Sequence, residues 1–408
     1  MKLVDTIILA IKRFGIRVLE EFGRKYRYVS IFDYVLEHPD KAQFLSLKTE
    51  KTVYTEAVSY IPSSYKQEIK SGIDLFDWLV VIKNAKCFSD TDLVITSEGD
   101  ALYDIKKYKS ISQYGDYLYG VIIHDNPKYC QVRRHKSITL ESAFLLEGLW
   151  SWNWYHFVTQ ILPKIKNISL VPSNVPILVG AFAQGDNNFH TILHYFISQY
   201  APNREVIYMN YSRAYLVKEL YMSSCQGLLL PDMNKNCHES PHPEWCLYKT
   251  STINFLRETL LREKDTKKTY PEKFYISRKN ASKRRKFNEE EVIALMQSLG
   301  FAIVAPEEYT VSEQIALFNN AKCIVACSGA ALTNLLYCQK GCKVIILNNY
   351  LLKIGIYNTI AAVLGLECIS ISGFDNEPIG DHIQDTFVIN PQKIKKAMRI
   401  LKMDNVDN

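Results

Sequence analysis

Residues 274–347 read FYISRKNASKRRKFNEEEVIALMQSLGFAIVAPEEYTVSEQIALFNNAKCIVACSGAALTNLLYCQKGCKVIIL, and the alternation within this stretch decides the fold class. Residues 274–276 are an apolar run of strand length, followed by a basic loop from Arg278 to Lys286. Asn288 is placed to cap the next helix, with Glu291 three residues on as a capping-box partner. Val292, Leu295, Met296 and Leu299 then share one helical face, and Gly300 ends the helix. Residues 301–304 form a second strand, and Ser312 is placed to cap a helix running to 318. A third strand over 323–326 leads through a Ser328-Gly329-Ala330 turn into a helix over 332–338. A Lys-Gly turn and a strand over 343–347 complete a βαβαβαβ succession. Strands alternating with helices at this spacing build a parallel sheet in an α/β fold. Ligands of such sheets bind beyond the carboxyl ends of the strands, which singles out the loops after Ile276 and after Ala326.

Working outward, residues 251–408 read as one Rossmann-like domain. The stretch from Pro231 to Pro243 is rich in Pro, Asn, His and Ser, and 236–250 is assigned as a linker. Before it, α/β alternation resumes near Trp150. A helix over 153–162 stops at Pro163, and strands over 175–179 and 205–209 flank a helix over 188–200. A β-rich patch is expected from Asp74 to Val132, and residues 73–235 make the N-terminal domain. Residues 1–72 read as a helical N-terminal extension. There Leu3, Val4, Ile7, Ile8, Ile11, Val18, Leu19 and Phe22 recur at roughly helical spacing among Lys12, Arg13 and Arg17. A helix docked on its own domain is the favoured reading, and a basic helix on a membrane surface is the other. The apolar run is too short to span a bilayer, and no small-residue cleavage site follows it.

The chain has 408 residues, 47% hydrophobic and 23% charged, ordinary for a globular protein of two domains. A net charge of +6 favours anionic ligands without amounting to a nucleic-acid footprint. The ten cysteines follow no disulfide-framework spacing, which points to reduced thiols and a cytoplasmic setting.

A small-residue turn between a buried strand and a helix presents free N–H groups at the positive end of the helix dipole, and such a site binds phosphate. Arginine's planar fork matches phosphate oxygens two at a time. The Ser328-Gly329-Ala330 turn and the loop carrying Ser277, Arg278 and Lys283 together suit a diphosphate, with Thr333 and Asn334 close by on the helix.

These motifs are specific. The stretches FYISRKNASKRRKFNEEEV, LGFAIVAPEE, SEQIALFNNAK and SGAALTNLLY, joined by NWYHF at 153–157 and LPKI at 162–165, resemble glycosyltransferase family 61 over roughly residues 75–390. The resemblance implies a GT-B-like arrangement, two Rossmann-like domains facing across a cleft. It implies an inverting glycosyltransferase with no obligatory metal or other cofactor, acting on a nucleotide sugar, with UDP the expected nucleotide. The acceptor is expected to be a glycan or glycolipid of surface polysaccharide (capsule) synthesis. The protein is expected to be cytoplasmic; the membrane-surface reading of the N-terminal helix would add peripheral contact at the membrane's inner face. Two positions depart from the family pattern, Ser328 where a His is usual and Ala331 where a Gly is usual.

On a helical wheel Trp154, Phe157, Val158, Ile161 and Leu162 form a buried face, with Asn153, His156 and Gln160 opposite. His156 is therefore the candidate base that takes the acceptor's proton, and Glu313 and Asp186 are rivals. The catalytic candidates are His156, Arg278 and Glu313. The alternative function is a non-catalytic glycan or nucleotide-sugar binding protein; nucleic-acid binding through 278–286 and a nicotinamide dehydrogenase are weaker. Three patterns are set aside as metal sites. Asp90-Thr91-Asp92 lies outside any Rossmann-like unit. His190 and His194 lack the glutamate of H-E-x-x-H, and Cys237, His238, His242 and Cys246 match no standard zinc spacing.

Overall fold

A computed structural model describes residues 23–56, 67–104, 121–126, 128–229, 246–264, 268–279, 287–348, 355–373 and 386–403. The chain divides into two compact units, Met1–Lys48 with Phe76–Cys225, and Thr49–Leu75 with Gln226–Asn408.

The second unit carries the sheet that the opening stretch specifies. Its strands are β1 (Lys273–Ile276), β2 (Ala302–Val304), β3 (Cys323–Cys327), β4 (Lys343–Asn348) and β5 (Glu367–Ser372), all parallel in the order β2-β1-β3-β4-β5. The helices are α1 (Thr250–Leu260), α2 (Glu289–Ser298), α3 (Val311–Asn320), α4 (Ile356–Val363) and α5 (Pro391–Ile400), with a 3₁₀ helix over Ala330–Tyr337. Strand side chains alternate between two buried faces, as a parallel sheet covered on both sides requires. Tyr275, Val325, Ile345 and Ile369 pack with Val292 and Met296 of α2 and with Ile394 and Met398 of α5. Phe274, next along the strand, points the other way and meets Phe318 of α3 edge-on at 5.3 Å.

The expected caps are corrected in two places. Thr310, not Ser312, starts α3, in a capping box with Glu313. Asn288 makes no cap bond with its side chain. Its amide instead closes a two-way clasp on Ile389, accepting from the Ile389 N–H (2.8 Å) and donating to its carbonyl (3.0 Å). Ile389 is fully buried, which makes its backbone pair the more demanding partner.

The second unit also takes in residues from far upstream. Thr52–Tyr54 and Lys70–Ser71 join Cys246–Lys249 and Gly227–Leu229 in a four-stranded sheet. The same segment docks at the start of α4. The Thr55 N–H donates to Thr359 Oγ1 (2.9 Å), and Gln67 Nε2 donates to the Asn358 carbonyl (2.7 Å). Gly355 lies against it so closely that a Cβ there would collide with the Thr55 carbonyl.

The first unit is built on an 11-stranded mixed sheet. Val206–Met209, Ile177–Gly180, Lys136–Leu145 and Arg213–Ser223 run parallel as neighbours. Beyond them Leu75–Cys87, Val94–Ile95 and Asp100–Tyr103 pair antiparallel, leading to Gly23–Ser30. The largely parallel sheet expected over 73–235 is therefore only one side of a larger sheet, and the β-rich patch is its continuation. The expectation of a helical 1–72 is likewise corrected. Strand Gly23–Ser30, helix Ile31–Glu37 and strand Ala42–Glu50 occupy its described part, and Val29, Ile31 and Tyr34 pack into the core around Trp78. The apolar repeat over 3–22 lies outside the described residues. Much of the linker 236–250 lies outside them as well, but Cys246–Lys249 is a buried strand that runs directly into α1.

Among the described residues no helix is long and apolar enough to cross a membrane.

Candidate functional site

In the second unit the strand order reverses between β1 and β3: the chain steps from β1 to β2 on one side, then returns to place β3 on the other. Open α/β sheets bind ligands at such a reversal, outside the strand carboxyl ends. Ile276 and Ala326 are register partners, so the loops that follow leave the sheet at the same height. Those are the loops of Arg278 and of Ser328-Gly329-Ala330. A Cβ built on Gly329 would sit 2.8 Å from Nη1 of Arg278, so guanidinium and turn occupy one spot. Gly329 is extended (φ 178°, ψ 169°), so its bare Cα serves this close approach and not a strained turn.

The Arg278 loop is anchored from below. Its N–H donates to Glu289 Oε1 (2.6 Å), and the same oxygen accepts from the Tyr275 hydroxyl (3.1 Å). Burial, reinforced by the Glu289 charge, pushes the Tyr275 phenol far above its usual range, so it remains a donor. Sequence reading missed Glu289. The signal was an acid in the first helical turn, eleven residues beyond the arginine whose loop it ties. Ser277, 3% exposed, accepts from the Lys279 N–H (3.2 Å), and Lys279 pairs with Glu308 (2.8 Å). Lys283 lies outside the described residues.

The turn after β3 is held from the other side, where the Ser328 N–H donates to the Leu347 carbonyl (2.9 Å). The helix it opens is 3₁₀ in form, not the α-helix expected. Every side chain from Leu332 to Tyr337 is buried on it. Asn334, read from a wheel as facing a ligand, is 1% exposed and donates to Gln314 Oε1 (2.8 Å). Thr333 is fully buried, and its hydroxyl has no hydrogen-bond partner among the described residues. Arg278 and Gly329 are thus brought together, with Ser328 and Ala330 on either side of the glycine, whereas Thr333 is buried on the helix and Asn334 is committed to α3.

Glu313 belongs elsewhere. Its carboxylate accepts from the N–H and hydroxyl of Thr310 (both 2.9 Å) and pairs with Lys268. The Lys268 ammonium and those bonds hold it down at about 2. A carboxylate that acidic is a poor proton acceptor, so Glu313 reads as a helix cap.

His156 lies in the first unit on a segment buried all round: His156 is 8% exposed, Thr159 2% and Gln160 9%. The polar solvent face read from an ideal helix is absent because the winding changes. Trp154–His156 is α, Phe157–Ile161 is π, and Leu162–Leu170 is 3₁₀. Pro163 does not stop the chain. It stands at the start of the 3₁₀ run, where an N–H would have no intrahelical partner. Such π-turns recur at functional sites. His156 Nδ1 meets Gln160 Oε1 at 2.9 Å, with the Trp150 ring 4.8 Å away. Because the amide oxygen only accepts, Nδ1 carries the proton and the lone pair is on Nε2. Asp186 is exposed in the turn before helix Asn188–Tyr200.

The first unit also holds a carboxyl pair, one member buried and one half-buried, that the sequence did not single out for proton chemistry. Glu147 is fully buried and accepts from the N–H groups of Gly180 (2.5 Å) and Asp90 (2.8 Å) and from the Ser151 hydroxyl (2.9 Å). Ser151 also reaches Asp90 Oδ1 (3.2 Å), and Asp90 holds a left-handed backbone (φ 61°), uncommon for a non-glycine residue. Burial pushes Glu147 up to about 8 and Asp90 up to about 6. The His190 and His194 rings lie 4.1 Å apart, tilted by 43°, and both reach the Tyr208 hydroxyl. Among the described residues no three His, Cys, Asp or Glu side chains are grouped to hold a metal ion. Cys237, His238 and His242 lie outside those residues.

No curated protein matches the chain. Residues 154–345 match the family model described as Glycosyltransferase 61, a stretch that includes His156, Arg278 and the Ser328-Gly329-Ala330 turn. The chain resembles that family, and it is a glycosyltransferase.

Proposed function

We propose that this glycosyltransferase moves a sugar from a nucleotide diphosphate sugar, UDP-linked, to a glycan or glycolipid acceptor in surface polysaccharide (capsule) synthesis, with inversion at the anomeric carbon. The observation that carries the reading is the Arg278 guanidinium set against Gly329 at the reversal point of the second unit's sheet. An arginine fork facing a small-residue turn and helix start is a complementary pair for two linked phosphates. The two units serve as the halves of a GT-B-like enzyme, the second holding the donor and the first the acceptor, in the cytoplasm at the inner face of the membrane.

The reaction needs a stronger nucleophile and a stabilised leaving group. His156 Nε2 takes the acceptor hydroxyl's proton while its Nδ1–H stays on Gln160. The oxygen attacks the anomeric carbon from the face opposite the diphosphate, and the bond to the diphosphate breaks. Arg278, Lys283 and the N–H groups of residues 328–330 receive the negative charge that develops there, aided by the Thr333 hydroxyl, so the step requires no obligatory cofactor. Ser277 and Glu289 position Arg278.

The test is UDP release from UDP-sugars, with Arg278→Ala as comparison. Loss of a charged transition-state contact lowers turnover by ~10²–10³. Turnover of Arg278→Ala within twofold of the parent enzyme would refute the assignment.

A further inference from the structure

Seven buried side-chain nitrogen or oxygen atoms lack a hydrogen-bond partner among the described residues, and three of them lie on the elements that leave and flank one turn. These are Thr333 Oγ1 and Tyr337 Oη, on the 3₁₀ helix that opens after Gly329, and Asn348 Oδ1, on the last residue of β4. Native proteins keep few such atoms, since a buried polar group without a partner is costly. Three on the elements around one turn point to partners supplied from outside the chain.

Asn348 is the informative one. It lies outside the stretch matched by the family model and carries no role in the diphosphate site described above. Because the Ser328 N–H is bonded to the Leu347 carbonyl, Asn348 stands directly beside the Ser328-Gly329 turn, one strand over from β3. That offset is about 4.8 Å. Its backbone carbonyl already accepts from the Gly373 N–H (2.9 Å), while its side chain is 7% exposed. A side-chain amide oxygen only accepts, so it has nothing to offer a phosphate oxygen, which also accepts. Its partner must be a donor carried a few ångströms from the phosphates. A ring hydroxyl, on the ribose or on the transferred sugar, has that chemistry and that reach.

We infer that Asn348 is a specificity-determining residue whose side-chain carbonyl accepts a hydrogen bond from a ring hydroxyl of the bound nucleotide sugar. The inference rests on the donor site proposed above. It gives the site a means to prefer a hydroxylated phosphate ligand over a bare diphosphate: Arg278 and the turn hold the phosphates, and Asn348 reads the ring attached to them.

Calorimetric titration of the full chain and its Asn348→Leu variant with inorganic pyrophosphate, UDP and UDP-glucose tests this, beside thermal melts without ligand. The expected result is pyrophosphate affinity unchanged and nucleotide affinity lowered roughly tenfold, the loss of one hydrogen bond to a buried group. Loss with both UDP and UDP-glucose assigns the ribose; loss with UDP-glucose alone assigns the transferred sugar. The ligand-free melting temperature should not fall, because leucine removes an atom that lacks its bond. Equal weakening of all three ligands, a lowered melting temperature with unchanged nucleotide affinity, or no change in any titration would overturn the inference while leaving the diphosphate site standing. A parent protein that binds none of the three ligands would overturn the donor site itself, and the role of Asn348 with it.

Discussion

Replacing Gly329 with alanine probes the contact on which the proposed donor site depends. The added Cβ would lie 2.8 Å from Arg278 Nη1, and contacts of that kind become ordinary only near 3.4 Å, so the guanidinium must retreat by roughly 0.6 Å. The backbone has no reason to object. Its extended conformation accepts any residue, and the next neighbour, the Cys327 carbonyl, is 3.8 Å away. Stability should therefore be unchanged or slightly raised, since alanine also restricts the unfolded chain. Function should suffer. A hydrogen bond to a charged group contributes about 1.5–3 kcal/mol, so forfeiting part of it weakens UDP binding roughly tenfold. Misplacing a catalytic contact by such a distance slows turnover by up to ~10². The decisive assay is a double-mutant cycle read by calorimetry with UDP. If alanine acts by displacing the guanidinium, it should have little further effect once Arg278 is itself alanine. Additive losses, or a Gly329→Ala protein that melts several degrees early, would refute the reasoning.

Four other outcomes are expected. Thr310→Ala should lower stability by about 1 kcal/mol in urea melts through loss of the α3 cap, and Glu313→Gln should retain transferase turnover; loss of turnover with an unchanged melt would restore Glu313 to the chemistry. Gly355→Ala should be strongly destabilising, because the colliding partner is the Thr55 main chain and not a movable side-chain tip; a melt unchanged from the parent would contradict the docking of residues 49–75. For the Glu147–Asp90 pair the sign follows from the raised values. A carboxyl held up to about 8 keeps its proton in the folded state after the unfolded chain has lost it, so the contribution of Glu147 to stability is fully present below the ordinary carboxylate range and is lost as pH rises towards 8. Between pH 6 and 8 the slope approaches ~1.4 kcal/mol per unit, about 2 kcal/mol in all. Urea midpoints at several pH values should show this fall in the parent and a flatter line in Glu147→Gln.

How legible the protein was in its sequence depended on the reach of the interactions involved. The strands at 273–276, 302–304, 323–327 and 343–348 were readable to within a residue or two, because each is a short apolar run bounded by local turn signals. The convergence of Arg278 with Gly329 was readable too, since it follows from strand direction and loop position. What escaped was non-local. The 11-stranded sheet depends on antiparallel pairings such as Tyr215 with Cys87, and no periodicity within one window reports a partner more than a hundred residues away. The capture of residues 49–75 by the second unit escaped for the same reason. At His156 the residue was found but its surroundings were misjudged, because an ideal 3.6-residue wheel was applied to a helix that changes its winding twice. Asn334 was misplaced because a wheel reports the faces of one helix and not the neighbour, Gln314 of α3, that covers this one. Glu289 and Asn348 left only weak signals, an acid in a first turn and an amide ending an apolar strand.

The early segment claimed by the second unit has a consequence for biosynthesis. Val53 leaves the ribosome long before Tyr248, the residue it pairs with, about 200 positions later. At ~5–20 residues per second that is a delay on the order of 10–40 seconds. Throughout it the strand edge around Val53 must wait unmatched while most of the other unit is synthesised, an invitation to wrong pairing. Fragments beginning near residue 226 would never receive that strand at all, so expressing the second unit by itself calls for residues 49–75 to be supplied as a separate peptide or grafted by circular permutation.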